Sequence, residues 1–247
     1  MSARFQELDW RATPLGELVL RRRWDPLVER EVHEIKLNDE FLMSSLFTAA
    51  EVELAALALA QLAGDGLDVV VGGLGLGYTA LTVLESPDVG SLTVVEALGE
   101  VIEWHAGGLI PAGRELTADP RCALLHGDFF AMLRSGFGLD PADPGRRFDA
   151  VLVDIDHSPR HLLHPGHADF YEPSGLRRVA DRLRPDGVFA LWSNDPPDDA
   201  FLGVLAEVFT QVRADVVSFD NPLQERAATN TIYLARAIAT PQPGVGR

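Results

Sequence analysis

Cysteine is all but missing from this sequence. Cys122 is the single one in 247 residues, so no internal disulfide can form and a cysteine-based zinc site has no basis. Apolar runs of membrane-spanning length are missing too. The opening M-S-A-R-F-Q-E-L-D-W lacks the basic-then-apolar pattern of a secretory signal, so a cytoplasmic location without membrane association is expected. Positive charge is scarce: Lys and Arg number 21 against 37 Asp and Glu, a formal net charge of −16. Phosphate contacts need a positive face, which argues against a general nucleic-acid binder. The acidic field favours a cationic small-molecule substrate, and it equally keeps a protein soluble. There is no internal repeat.

What is present suffices for a full core, since 47% of the residues are hydrophobic and 23% charged. The organising stretch is residues 68–80, D-V-V-V-G-G-L-G-L-G-Y-T-A. Its β-branched run reads as a buried strand, and the glycines as a tight turn into a helix starting near Tyr78. Glycine allows positive φ and lets a ligand touch the main chain, while the following helix aims free N–H groups above the strand end. Gly73, Gly75 and Gly77 give the G-x-G-x-G spacing of adenosyl-binding folds. Gly75, Gly77 and Ala80 also satisfy G-x-G-x-x-A, so a nicotinamide dinucleotide remains an alternative.

Residues 1–45 read as a small N-terminal β region, with strands at 16–23 and 28–37, the second alternating polar and apolar side chains. Its exposed edges leave a homo-oligomer open. Thr48-Ala49-Ala50-Glu51 matches a capping box, and the Ala/Leu-rich run to Ala63 predicts a helix buried on more than one side. Strands are then expected at 67–73, 91–97, 122–127, 148–154 and 187–193, with helices between, a helix at 198–209, and an antiparallel pair at 213–219 and 230–237. This is a Rossmann-like α/β domain over 46–239, a mostly parallel seven-stranded sheet with an antiparallel last strand; 240–247 reads as a tail. Ligands of such sheets bind at the carboxyl ends of the strands.

Acids stand at those ends. T-V-V-E puts Glu96 roughly 20 residues beyond the glycine turn, where a carboxylate can accept both ribose hydroxyls. H-G-D-F-F puts Asp128 at the sheet edge, within reach of an adenine amino group, though Asp128 also suits a helix N-cap. V-L-V-D-I-D-H puts Asp154 and Asp156 over the crevice, beside His157, whose imidazole titrates near neutrality and can handle protons. His161, His164 and His167 follow, but Pro159 and Pro165 break any helix that would converge them, so no metal is expected.

From about residue 66 to 194 the chain resembles the spermidine synthase family of polyamine aminopropyltransferases, within the class I S-adenosylmethionine-dependent methyltransferase fold. The pieces that match are V-V-V-G-G-L-G-L-G, T-V-V-E, H-G-D-F-F, F-D-A-V-L-V-D and A-D-F-Y-E-P-S-G-L-R-R-V-A-D-R-L-R-P-D-G-V-F, and the N-terminal β region is similar as well. The resemblance implies transfer of an aminopropyl group from decarboxylated S-adenosylmethionine to an amine. It implies that Glu96 holds the ribose, Asp128 the adenine, and Asp154 orients and deprotonates the amine. Three positions depart from the family. Gly75 stands where the family has the loop aspartate that holds the donor's amino group. His157 stands where it has its second acid, unless Asp156 takes that role. A tyrosine counterpart is missing around Asn221-Pro222-Leu223. A small-molecule methyltransferase using S-adenosylmethionine, and a non-catalytic adenosyl-binding protein, are therefore alternatives.

Overall fold

The computed structural model describes residues 5–38, 40–136, 138–221 and 226–238. Segment 240–247, read as a tail, and Pro222 and Leu223 lie outside them. The N-terminal segment forms an antiparallel sheet of four strands in chain order: β1 (Phe5–Thr13), β2 (Gly16–Asp25), β3 (Arg30–Leu37) and β4 (Glu40–Ser44). Sequence periodicity finds β2 and β3 and misses the outer two. β1 is exposed along most of its length, so no alternation marks it, and β4 is only five residues long. Main-chain pairing holds both, with Trp10 opposite Val19 and Met43 opposite Ile35.

The second sheet has seven strands: β5 (Leu67–Gly72), β6 (Val89–Glu96), β7 (Cys122–His126), β8 (Phe148–Val153), β9 (Leu183–Ser193), β10 (Thr210–Asn221) and β11 (Arg226–Arg236). Their order is β10-β11-β9-β8-β5-β6-β7. Strands β5 to β9 are mutually parallel, and β11 runs antiparallel to both β9 and β10. Alternate side chains of each central strand feed opposite faces, so both faces are apolar and the strands read as continuous hydrophobic runs.

Val69, Val71, Ala150, Leu152, Val188 and Ala190 enter one core. It is covered by α1 (Ala49–Leu59), α2 (Tyr78–Glu85), α3 (Gly99–Ala106), α4 (Gly113–Ala118) and the inner face of the N-terminal sheet, through Leu18, Leu20 and Ile35. Val70, Val151, Val153, Phe189 and Leu191 enter the other, under α5 (Phe129–Ser135), α6 (Pro173–Ala180) and α7 (Asp199–Ala206). The buried indole of Trp104 donates Nε1–H to Asp9 Oδ2 at 2.7 Å, tying β1 to α3.

At the amino ends of the central strands, Asp68 accepts from Arg146 at 2.8 Å and Arg184 at 2.7 Å, and Arg184 also pairs with Asp149. These acids are paired with arginines, whereas Glu96, Asp128 and Asp154 at the carboxyl ends have no arginine or lysine partner among the described residues. No helix among the described residues is long and apolar enough to cross a membrane.

The predicted capping box at the start of α1 does not form. Thr48 makes no side-chain cap hydrogen bond, and Glu51 is buried in the helix face turned to the sheet instead.

Candidate active site

β5 leads into the glycine loop, and α2 begins at Tyr78 with Gly77 as N-cap at φ +90°. Gly73, at φ +96°, runs so close to β8 that a Cβ there would collide with the carbonyl oxygen of Asp154. Gly75, at φ +48°, has the Met43 sulfur 2.9 Å from where its Cβ would sit. At Gly73 the conformation and the space both require glycine, whereas at Gly75 the positive φ favours glycine and a side chain would have to displace the flexible Met43. Met43 Sδ also accepts from Leu76 N at 3.1 Å, and the buried His105 ring contacts Gly75 O through Nε2 at 2.9 Å. The loop is thus braced from the N-terminal sheet and from α3.

Glu96 ends β6 at 8% exposure. Its Oε1 accepts from Leu98 N at 2.8 Å and its Oε2 from Leu74 N at 2.9 Å. Burial pushes its pKa up, while the backbone N–H groups of Leu98, Leu74 and Gly75 oppose the rise. Asp128, exposed beyond β7, accepts from Ala131 N at 2.9 Å through Oδ1 and caps α5. Capping occupies one of its oxygens and leaves the other facing solvent.

Asp154 follows β8, and its N–H donates to Gly72 O at 2.8 Å. It shares the α1 side of the sheet with Ala150 and Leu152 by alternation. Thr79 on α2 donates its hydroxyl to Asp154 Oδ2 at 2.8 Å. Burial pushes the Asp154 carboxyl up to about 6, with the Thr79 hydrogen bond opposing. Glu51 on α1, whose backbone carbonyl lies 3.4 Å from the same Thr79 hydroxyl, is pushed up to about 8 by burial and then by the Asp154 charge. Val153 pairs with Leu191, so Asp154 and Trp192 are the next neighbours across the sheet, and Trp192 packs on the same face. The Trp192 Nε1–H is buried with no hydrogen-bond partner among the described residues.

Asp156 goes elsewhere. It is 2% exposed and accepts from Leu163 N (2.8 Å), His167 Nδ1 (2.8 Å) and Tyr171 OH (2.9 Å), which makes it the anchor of the segment after β8. His157, partly buried, gives its carbonyl oxygen to Asn194 N at 2.7 Å. The remaining histidines have separate partners: His161 Nδ1 meets Asp195 Oδ2 at 2.8 Å, His164 Nδ1 accepts from Gly166 N, and His167 packs on Phe130. Among the described residues no three His, Cys, Asp or Glu side chains are grouped to hold a metal ion.

Sequence reasoning brought together the glycine loop, Glu96, Asp128 and Asp154, which all lie along one sheet edge. It missed Glu51, Thr79 and Met43 as residues of the site. One signal for Glu51 was available: an acid in a nearly unbroken apolar helix predicted to be buried on several sides must itself be buried.

A glycine loop between the central strand and its helix, acids at the next strand ends, and this strand order define a class I S-adenosylmethionine methyltransferase-like fold. Within that class the chain resembles the spermidine synthase, or polyamine aminopropyltransferase, family. A spermidine synthase solved in complex with the transition state analogue AdoDATO superposes with a TM-score of 0.72 at 18% identity, over 96% of this chain and 75% of that one. Spermidine synthase from Thermotoga maritima gives 0.71 at 17% identity, with the same coverage. Human methyltransferase-like protein 13 in complex with SAH gives 0.51 at 22%, over 80% of this chain and 82% of that one. In sequence, a polyamine aminopropyltransferase of Corynebacterium efficiens is 37% identical over 113 residues, which is 46% of this chain and only 20% of that protein. No protein-family model matches the chain.

Proposed function

We propose that the protein is a spermidine-synthase-like transferase that moves an aminopropyl group from an adenosyl sulfonium to an amine, with Asp154 as the base. The observation that carries this reading is the carboxyl of Asp154, held by Thr79 at the end of β8 and raised to about 6 by burial, so that it can take up a proton near neutrality. The fold likeness to spermidine synthase supports the donor class. The net charge of −16 suits a cationic acceptor.

The residues fit an adenosyl group. Glu96 closes β6 beside the loop, where its carboxylate would take ribose hydroxyls, Asp128 is exposed with only Oδ1 capping α5, and the loop from Gly73 to Gly77 admits a close approach to the main chain. In the transfer, the neutral amine nitrogen forms a bond to the carbon attached to sulfur, and the carbon–sulfur bond breaks with its electron pair going to the sulfonium. The proton shed by the new ammonium passes to Asp154. Holding the two reactants in line lowers the barrier by prepaying their translational and rotational entropy.

A second reading, methyl transfer from S-adenosylmethionine, is favoured by Gly75. The loop carries no acid for the donor's amino group, and the Met43 sulfur fills the adjacent space. Thermal stability with decarboxylated S-adenosylmethionine, methylthioadenosine, S-adenosylmethionine and S-adenosylhomocysteine tests both. Preference for the first two supports aminopropyl transfer, and preference for the last two supports methyl transfer. No shift with any of them removes the adenosyl assignment. Mass spectrometry of products then reads the transferred group, and a gain of one methyl sinks the aminopropyl reading.

A further inference from the structure

One peptide unit of the glycine loop is gripped at both ends by side chains from outside the loop. The carbonyl oxygen of Gly75 meets His105 Nε2 at 2.9 Å, and the N–H of the same peptide bond, that of Leu76, donates to Met43 Sδ at 3.1 Å. A trans peptide points its carbonyl and its N–H in opposite directions, so α3 holds one edge of the plane and β4 the other. Two further glycines make room for this clamp. A Cβ on Gly77 would stand 2.9 Å from the His105 ring carbon Cε1, and one on Gly113 would collide with the His105 carbonyl oxygen. A carbonyl only accepts, so Nε2 carries the ring proton. Nδ1 is buried with no hydrogen-bond partner among the described residues, and burial lowers the pKa, which keeps the ring neutral.

The two ends of the clamp differ in strength. An imidazole N–H on a carbonyl oxygen is an ordinary hydrogen bond, whereas a thioether is a weak acceptor. Two residues earlier in the loop, Leu74 N–H has the Glu96 carboxylate. Leu76 N–H has only sulfur. Met43 is partly buried and unbranched, and its strand β4 pairs with β3 through a register slip between Ile35 and Lys36, so its side chain can turn aside without opening the core. A main-chain N–H held at a ligand loop with so weak a partner is one that an oxygen atom can claim.

Resting on the adenosyl part of the transferase reading, we propose that His105 and Met43 are positioning residues of the donor site: His105 holds the Gly75–Leu76 peptide with its N–H turned to the ligand, and the Met43 thioether is a stand-in acceptor that an adenosyl ligand displaces. The atom that takes its place is a ribose oxygen, since Glu96, which takes the ribose hydroxyls in that reading, grips the loop through Leu74 N–H. The two residues then act with opposite sign. Without His105 the peptide plane loses its fixed orientation, and the ligand must order it on binding. Without the sulfur, Leu76 N–H is unpaired in the free protein, and the ligand no longer competes for it.

Calorimetry with methylthioadenosine on the wild type, Met43→Leu, His105→Leu and His105→Gln reads the two signs. Met43→Leu conserves volume and should bind about three- to tenfold more tightly. His105→Leu should bind more weakly by a similar factor, and His105→Gln, which restores a side-chain N–H, should recover part of the loss. A merely structural brace weakens binding in both positions, so equal or weaker binding by Met43→Leu overturns the proposal. The wild type alone gives a second reading. The chain has three methionines, so a spectrum labelled at the methionine methyl carbons is sparse, and the methyl carbon shift reports the rotamer at the sulfur. Saturation with methylthioadenosine should move the Met43 signal to a new rotamer value. An unmoved signal in a complex that calorimetry registers overturns the displacement and leaves the adenosyl assignment standing, whereas no binding of methylthioadenosine overturns both.

Discussion

Thr79, on the first turn of α2, donates its hydroxyl to Asp154 Oδ2 at 2.8 Å. The helix launched by the glycine loop of one strand therefore fixes the acid at the end of its neighbour. A carboxylate deprived of such a donor is harder to ionise. Thr79→Val is expected to move the acid limb of kcat/KM up by about one pH unit, with Thr79→Ser restoring it. Rate profiles of the three proteins check this, and an unmoved limb means that the bond does not reach the reacting group.

Asp154→Asn keeps the shape of the site and removes the proton acceptor. Turnover should fall on the order of 10²- to 10⁴-fold, with adenosyl-ligand thermal shifts retained. Turnover close to wild type would put the base elsewhere, and unchanged ligand affinity together with unchanged cellular function would favour a non-catalytic protein.

Gly75→Asp does not restore a family-like loop by itself. The residue sits at φ +48° with the Met43 sulfur 2.9 Å from the new Cβ, so a destabilisation of about 1–3 kcal/mol is expected. Pairing it with Met43→Ala should recover part of that loss. Chemical denaturation of the two single variants and the double variant measures the coupling, and simple additivity would mean that Met43 is not the obstacle.

The carboxyl pair also predicts how stability changes with pH. Glu51 and Asp154 are raised to about 8 and about 6 from ordinary values of 4.5 and 3.8. The folded state therefore binds more protons than the unfolded state between those values. The stability they contribute is full below the ordinary range and is lost as pH rises through 6 and then 8. Glu51→Gln should exceed the wild type by more than about 1 kcal/mol near pH 9 and show no such advantage near pH 5. Melting curves across that range decide it, and a constant difference would mean that the pair does not titrate with folding.

Asp156 holds three donors, so Asp156→Ala leaves Leu163 N–H, His167 and Tyr171 O–H without their acceptor. A loss of about 3 kcal/mol and faster proteolytic cleavage within residues 155–171 are expected. Unchanged stability with abolished turnover would instead put Asp156 in the chemistry.

The glycine spacing, the apolar strands β5 to β9 and the acids that close β6, β7 and β8 are legible in the sequence because each is a local signal. A period, a turn that only glycine can make and a fixed offset from strand to acid together specify a sheet with its ligand edge. Tertiary packing alone decided the rest. β1 and β4 exist by pairing to neighbours, not by their own pattern. Asp156, two residues beyond the candidate base, turns into the loop because three donors wait there. Glu51, which local spacing assigns to a helix cap, is buried only once α1 packs across the sheet. Burial and the nearness of another charge govern what a carboxyl does, and both are properties of the packed fold that no short stretch of sequence carries.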